Sequence, residues 1–288
     1  MYAPQFDYYR AASIAEASAL LKQHPGAKLL AGGHSLIPLL KLRLAAPPAV
    51  IDIGRIAELK GVAVKDGVVR IGALTTHAEL AASPVVREHC PALAEAAGHV
   101  GDPAVRNRGT IGGNVAHADP ASDLPTVLVA SGARFVYSSG AGSQTVGADR
   151  FFTGVMTTAL GDGDLLTAIE VPAAGRGQGS AYVKFEHPAS RYAVIGVAAL
   201  VTGSGGKCSS AAVVLGGLVP TPTRAPGVER ALSGQPLSDE SFGKAAAQVA
   251  ADLGADVIGD LYASAGYRKA VAPVWVKRAL AAAAGRVR

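Results

Sequence analysis

The sequence predicts an α+β protein built in two parts. Three observations support this. Short apolar runs of strand length are mixed with segments of helical spacing, without a regular strand–helix–strand repeat. The dipeptide Asp66-Gly67 joins Val62–Lys65 to Val68–Ile71, which is the pattern of an antiparallel hairpin with a type I′ turn. A Pro/Gly-containing segment, Pro172 to Gly179, then separates a first half of mixed elements from a second half in which strands precede helices. It sets expected domains at residues 1–175 and 176–288, both of ordinary domain size.

Taken in order, Ser13 followed by Glu16 predicts a capping box opening a helix through about Leu21, with His24-Pro25-Gly26 as its stop. Lys28–Ala31 reads as a short buried strand broken by Gly32-Gly33, Leu36–Leu44 as a helix, and Val50–Ile53 as a strand. Beyond the hairpin, short helices are expected over His77–Ala82 and Ala92–Ala97. The stretch from Gly101 to Pro125 is rich in Gly, Asn, Asp and Pro and reads as one long irregular segment, a kind that usually carries function. Strands follow at Arg134–Tyr137 and Leu165–Val171. In the second half Ser180–Phe185, Tyr192–Val201 and Ala211–Leu218 read as three antiparallel strands. Helices near Ser241–Leu253 and Tyr262–Ala284 would cover one face of that sheet.

Composition narrows the function. With 49% hydrophobic and 17% charged residues the chain is not disordered. No apolar run approaches the ~20 residues needed to cross a bilayer, and the N-terminus lacks a basic region followed by an apolar core, so no signal peptide is expected. The two cysteines, Cys90 and Cys208, stand far apart. They suit a cytoplasmic protein with reduced thiols, peripheral association with the inner membrane face remaining open. They are too few for an iron–sulfur cluster, which commonly takes about four. A net charge of +5 without a dense basic tract argues against nucleic acid and suits a phosphate ligand or an acidic partner.

Two glycine pairs carry the functional reading. Ala31-Gly32-Gly33-His34-Ser35 follows a strand and precedes a helix, so bare backbone amides can approach phosphate oxygens, with the Ser35 hydroxyl as a further donor. Thr110-Ile111-Gly112-Gly113-Asn114 lies in the irregular stretch, flanked by Arg106 and Arg108. Neither pair fits the P-loop or the Rossmann fingerprint. Together, two amide-rich turns can enclose one diphosphate from both sides. Asn114 and Asp123 are candidates for sugar hydroxyls, with helix capping as the alternative role for Asp123. His117 and Asp119 are too few for a metal site.

The segments Lys28 to Leu36 and Gly109 to Asn114, with Asp119-Pro120 and Asp123 following, resemble the FAD-binding medium subunit of carbon monoxide dehydrogenase and its relatives in the xanthine dehydrogenase (molybdenum hydroxylase) family. The resemblance covers essentially the whole chain. It implies a PCMH-type FAD domain, like that of vanillyl-alcohol oxidase and MurB, followed by a small α+β domain with a three-stranded sheet. FAD would be held non-covalently, with its diphosphate between Leu30, Ala31, Gly32, Gly33, His34, Ser35 and Leu36 on one side and Gly109, Thr110, Ile111, Gly112, Gly113 and Asn114 on the other. Asp119 and Asp123 would lie at the cofactor, with Asp123 on a hydroxyl, and the Leu166 backbone near the adenine or flavin edge. Tyr192 would stack over the flavin ring, although by itself it reads as an ordinary strand tyrosine.

One departure stands out: Glu186 occupies a position where some relatives place a lysine toward the flavin, leaving Lys184 or Arg191 as substitutes. The inserted cysteine cluster of the benzoyl-CoA-reductase-like branch is absent. The family resemblance further implies partners. A large subunit would carry molybdopterin and the substrate pocket, a small subunit would carry 2Fe–2S clusters, and the whole would be a dimer of heterotrimers. The chain would then be an electron-transfer flavoprotein without catalytic side chains of its own. A free-standing flavin oxidoreductase of the same fold is the alternative, and the short, alanine-rich second domain favours the subunit.

Overall fold

The computed structural model describes residues 2–287; Met1 and Arg288, the outer ends of the two expected domains, lie outside the described residues. The chain builds three main sheets. The first is a parallel trio of β1 (Asp7–Arg10), β2 (Lys28–Leu30) and β3 (Ala49–Asp52) in the order β1-β3-β2. Helix α1 (Ile14–Gln23) links β1 to β2, and α2 (Leu36–Lys41) links β2 to β3. Ser13 caps α1 as expected, accepting the Glu16 amide at 3.1 Å. The reciprocal half of the box is displaced by one residue, because the Glu16 carboxylate accepts from Ala12 and not from Ser13. Helix α2 stops short of the expected Leu44: Arg43 turns into the left-handed region at φ 58°, and Leu42 and Leu44 are exposed.

The second sheet is antiparallel. Its strands are β4 (Val62–Lys65), β5 (Val68–Gly72), β6 (Arg134–Ser139), β7 (Gly142–Gly147) and β10 (Leu165–Pro172), in the order β4-β5-β10-β6-β7. A small hairpin of β8 (Phe152–Gly154) and β9 (Thr157–Thr158) precedes β10. The Asp-Gly turn forms as predicted, with φ 50° at Asp66 and 72° at Gly67. Helices α3 (His77–Ala82), α4 (Pro84–His89) and α5 (Pro91–His99) cover the sheet. Between them Thr76 and Glu79 form a complete capping box, and Ser83 caps α4.

The stretch expected to be irregular is not. It contains α6 (Pro103–Arg106), α7 (Ile111–His117) and α8 (Asp123–Ala130), each too short and too rich in Gly or Pro to show helical periodicity. Helix α9 (Ala148–Phe151) follows β7. The core beneath is dry and aromatic: Phe135 and Phe151 are stacked with ring centroids 4.0 Å apart, both fully buried.

The third sheet has four strands where three were expected. They are β11 (Gln178–Glu186), β12 (Ala193–Ser204), β13 (Lys207–Gly216) and a two-residue edge strand, β14 (Thr223–Arg224). Helices α10 (Pro226–Leu232), α11 (Asp239–Ala246), α12 (Val249–Asp252) and α13 (Ala265–Ala284) follow. The single helix expected over Ser241–Leu253 is split, because the Gln248 amide bonds Ala245 O three residues back and tightens the chain out of register.

Both faces of this sheet are covered, correcting the one-sided expectation. Ala181, Val197, Ala199 and Val213 point to the C-terminal helices, while Tyr182, Ala198 and Val214 point to α5 and α8 of the first half. The side-chain alternation of period two thus assigns each strand to two cores at once. That is why β12 reads as a continuous apolar run.

A buried polar network pins this junction. The Asp123 carboxylate, at the start of α8, accepts the Tyr182 hydroxyl at 2.6 Å and the Lys184 ammonium at 2.9 Å, and Lys184 also donates to His99 O. Burial pushes the Asp123 carboxyl up, against the opposing pull of Lys184 and Tyr182. An ammonium and a carboxylate enclosed together stand or fall as a pair. Lys184→Met should therefore cost about 3–5 kcal/mol by stranding the carboxylate, and adding Asp123→Asn should recover part of it; urea unfolding of the three variants measures the cycle. Phe151→Ala should lose about 3–5 kcal/mol through its cavity, read from the same midpoints.

Candidate functional site

The two glycine pairs meet. A Cβ at Gly32 would run into the Arg108 carbonyl oxygen and come within 2.9 Å of Gly109 Cα, so the two segments are pressed backbone to backbone. On the far side of Gly109 lies the buried ring of His77, 2.8 Å from where a Cβ would sit. Burial, reinforced by His34 and Arg106, lowers the His77 pKa to about 4 and keeps the ring neutral.

The two segments differ in chemistry. Among the described residues, the amides of Gly32, Gly33, His34, Ser35 and Leu36 have no hydrogen-bond partner in the protein. Gly33 adopts φ 80°, which turns this run into a concave nest of donors ahead of α2. The Ser35 hydroxyl makes no cap bond and stays free as a further donor. His34 is exposed.

The second segment corrects the expectation of a twin turn. It is the first turn of α7, and its amides are taken: Ile111 by Thr75 O, Gly112 by Ala73 O, Gly113 by the Thr110 hydroxyl, and Asn114 by Thr110 O. Gly112 is glycine because Ala73 O lies 2.6 Å from the place of a Cβ, which is a packing reason. Gly113 is exposed and faces Thr110 Oγ1 and the Ala31 methyl, so its missing side chain leaves the space between the segments open. This segment therefore supplies shape more than donors.

Asn114, the next residue of α7, carries an unpartnered polar group. Its amide nitrogen donates to Ser122 Oγ at 3.1 Å, and its Oδ1 is buried without a partner among the described residues. A buried acceptor left open is costly unless something donates to it. The nest of free amides, the open side of Gly113 and this acceptor fit the chemistry of a dinucleotide, whose diphosphate the amides could hold and from whose sugar hydroxyl Asn114 could accept. A cleft of about 430 Å³ lies against the meeting of the two segments, bounded by Ala31, Gly32 and Thr110 and rimmed by Arg10, Arg55 and Arg108. Of the two flanking arginines only Arg108 faces it, because Arg106 is spent on the carbonyls of Val100 and Gly101 at the end of α5. Leu30 lines this cleft, and half-buried Leu36 opens α2 beside it.

The remaining candidates scatter in role. Asp123 neither caps α8, whose N-cap is Ser122, nor presents a free carboxylate, since both oxygens are held by Tyr182 and Lys184. Lys184 is buried in the same network and does not reach out as a substitute cation. Glu186 pairs with Arg191 at 3.5 Å on a half-exposed loop, which neutralises the expected charge reversal. Asp119 Oδ1 accepts the Ala121 amide at 2.9 Å and shapes the turn before α8. Leu166 is buried in β10 opposite Tyr137, next to a bulge that ends before Ala168. Tyr192 stands half-exposed, and the next residue, Ala193, donates its amide to Ala121 O at 3.2 Å, which sets Tyr192 beside the turn that carries Asp119 and leads to Asp123; burial and those two carboxylates push its phenol pKa up. Sequence reasoning missed Tyr182. The available signal was Gly196 inside an apolar strand, where a Cβ would strike the Tyr182 hydroxyl.

Comparison with known proteins identifies the family. Residues 4–174 match the family model described as the FAD binding domain in molybdopterin dehydrogenase, and residues 180–283 match the CO dehydrogenase flavoprotein C-terminal domain. The chain is 42% identical to the carbon monoxide dehydrogenase medium chain of Hydrogenophaga pseudoflava over 99% of each chain. It is 38% identical to the glyceraldehyde dehydrogenase medium chain of Sulfolobus acidocaldarius, over 97% of this chain and 98% of the other. A solved structure of carbon monoxide dehydrogenase from Hydrogenophaga pseudoflava superposes with a TM-score of 0.95 at 43% identity, covering 100% of both chains. With both family models and a full-length structural match in agreement, the chain belongs to the FAD-binding medium-subunit family of the molybdopterin dehydrogenases.

Proposed function

We propose that this chain is the FAD-carrying electron-transfer subunit of a molybdenum-containing hydroxylase. It would take electrons from iron–sulfur clusters in a small partner and pass them to an external acceptor. A large molybdopterin subunit would oxidise the substrate, in a dimer of heterotrimers in the cytoplasm. The observation that carries the reading is the run of five unpartnered amides from Gly32 to Leu36 beside the open face of Gly113. Among the described residues no group of His, Cys, Asp or Glu could hold a metal ion, and no helix is long and apolar enough to cross a membrane. Both cysteines are buried, and burial pushes the Cys90 thiol up to about 12.

The redox chemistry is supplied by the FAD when bound, and the chain supplies binding, orientation and shielding. The Gly32 to Leu36 amides and the Ser35 hydroxyl hold the diphosphate, and Arg108 adds positive potential at its rim. Asn114 Oδ1 accepts from a sugar hydroxyl and so fixes the cofactor along its length. Tyr192 would cover one face of the flavin ring, and the Leu166 backbone would lie near the adenine or flavin edge. Relatives of comparable similarity bear the names of a carbon monoxide and a glyceraldehyde dehydrogenase. That spread fits a subunit whose residues do not choose the substrate.

Purified with its partners, the chain should carry flavin absorbance together with molybdenum and iron. A colourless complex, or a yellow chain that never co-purifies with either metal, would count against the subunit reading. Gly113→Val should abolish flavin retention with little loss of fold, because a Cβ there meets the Thr110 hydroxyl at 2.9 Å and occupies the open space facing Ala31. Gly33→Val should do the same with added backbone strain at φ 80°. Flavin-to-protein ratio and far-ultraviolet circular dichroism measure both.

A further inference from the structure

The loop from Glu186 to Tyr192, between β11 and β12, is ordered by one side chain. His187 Nδ1 accepts hydrogen bonds from the amides of Ala189 and Ser190, both at 3.2 Å. The loop also closes on itself through the His187 amide to Tyr192 O and the Arg191 amide to His187 O, each at 2.8 Å. Arg191 makes the turn back by taking φ 60°. The imidazole is held edge-on against Tyr262, with ring centroids 4.5 Å apart and planes at 62°. Tyr262 is fixed in turn, because its amide donates to Asp260 Oδ1 at 2.9 Å and the other Asp260 oxygen pairs with the buried guanidinium of Arg268. A continuous set of contacts therefore runs from Arg268 in α13, through Asp260, Tyr262 and His187, to the backbone of Tyr192.

Accepting the two amide protons uses the lone pair at Nδ1, so Nδ1 acts here as an acceptor and leaves Nε2 free of the loop. The remaining loop acceptors are otherwise engaged: the Glu186 carboxylate is turned to Arg191, and Ser190 Oγ takes the Tyr192 amide at 3.4 Å. Pro188, Ala189 and Ser190 are exposed, so water can satisfy the two amides if the imidazole is removed. What His187 contributes is a single loop conformation, with little effect on whether the sheet folds. We propose that His187 is the positioning residue for Tyr192, acting as a hydrogen-bond acceptor that holds the loop so that Tyr192 stays beside the turn from Asp119 to Asp123, to which Ala193 bonds at Ala121 O. This rests on the reading of Tyr192 as the flavin cover.

The test uses the assembled complex and iodide quenching of the bound flavin's fluorescence, with circular dichroism and the flavin-to-protein ratio as checks on folding and loading. Tyr192→Leu reports on the stacking itself. His187→Leu keeps bulk against Tyr262 and removes the acceptor. His187→Asn restores one, since an asparagine oxygen accepts from amides two and three residues on. Expected are quenching constants raised about fivefold in Tyr192→Leu and in His187→Leu, the equivalent of one lost hydrogen bond, and an unchanged constant in His187→Asn. An unchanged constant in His187→Leu beside a raised one in Tyr192→Leu overturns the positioning role, as does a raised constant in His187→Asn. An unchanged constant in Tyr192→Leu overturns the stacking reading itself.

Discussion

The site depends on a contact between two stretches of bare backbone, Gly32 against the Arg108 carbonyl and Gly109. Any side chain at Gly32 would push the segments apart, and the separation would spread to both. The first is fixed by β2 behind it and α2 ahead. The second is fixed by α7, whose leading amides bond the chain after β5 at Ala73 and Thr75. This crossing brings the small parallel sheet onto the antiparallel one, with Leu74 and Leu165 packed among Ile51, Ile53 and Ile56. Close backbone approach of this kind leaves little compressible space, so the cleft is preformed.

Around that crossing the four glycines divide the work. Gly32 and Gly112 are required by packing, Gly33 by its left-handed conformation, and Gly113 by the space it leaves open. The donors are similarly unequal. The first segment keeps its amides free, while the second commits its amides to Ala73, Thr75 and Thr110. An anion therefore meets one nest and one wall. Positive potential comes from Arg108 at the rim, and the nearby His77 is held neutral by burial.

The charged residues once counted toward the cofactor mostly answer one another. Asp123 with Lys184, and Glu186 with Arg191, form pairs whose partners lie 61 and 5 positions apart in sequence. The first pair is buried at the junction between α8 and β11. It ties α8, the next helix after α7, to the C-terminal sheet. The sheet itself shares its strands between two cores, one built wholly from C-terminal residues and one that joins Tyr182, Ala198 and Val214 to the interior of the first half.

Much of this was legible in the sequence. The hairpin at Asp66-Gly67, the α1 cap at Ser13 and the strands at Lys28 and Leu165 are set by neighbours within a few residues, where local sterics and capping act. Both glycine pairs could be found because glycine after a strand or before a helix has a backbone reason to be there. The short helices within residues 101–125 could not be read, because α6 and α7 offer too few turns for an apolar period, and Thr110 looks like any loop threonine until its hydroxyl caps Gly113. Nor could the sequence show that Asp123 faces Tyr182 and Lys184, or that the second glycine pair gives its amides to Ala73 and Thr75. Hydrogen-bond partners distant along the chain are chosen by which strands and helices pack together. Local propensity thus determined the elements and the glycine motifs, and only tertiary packing decided which polar groups stay free for a ligand.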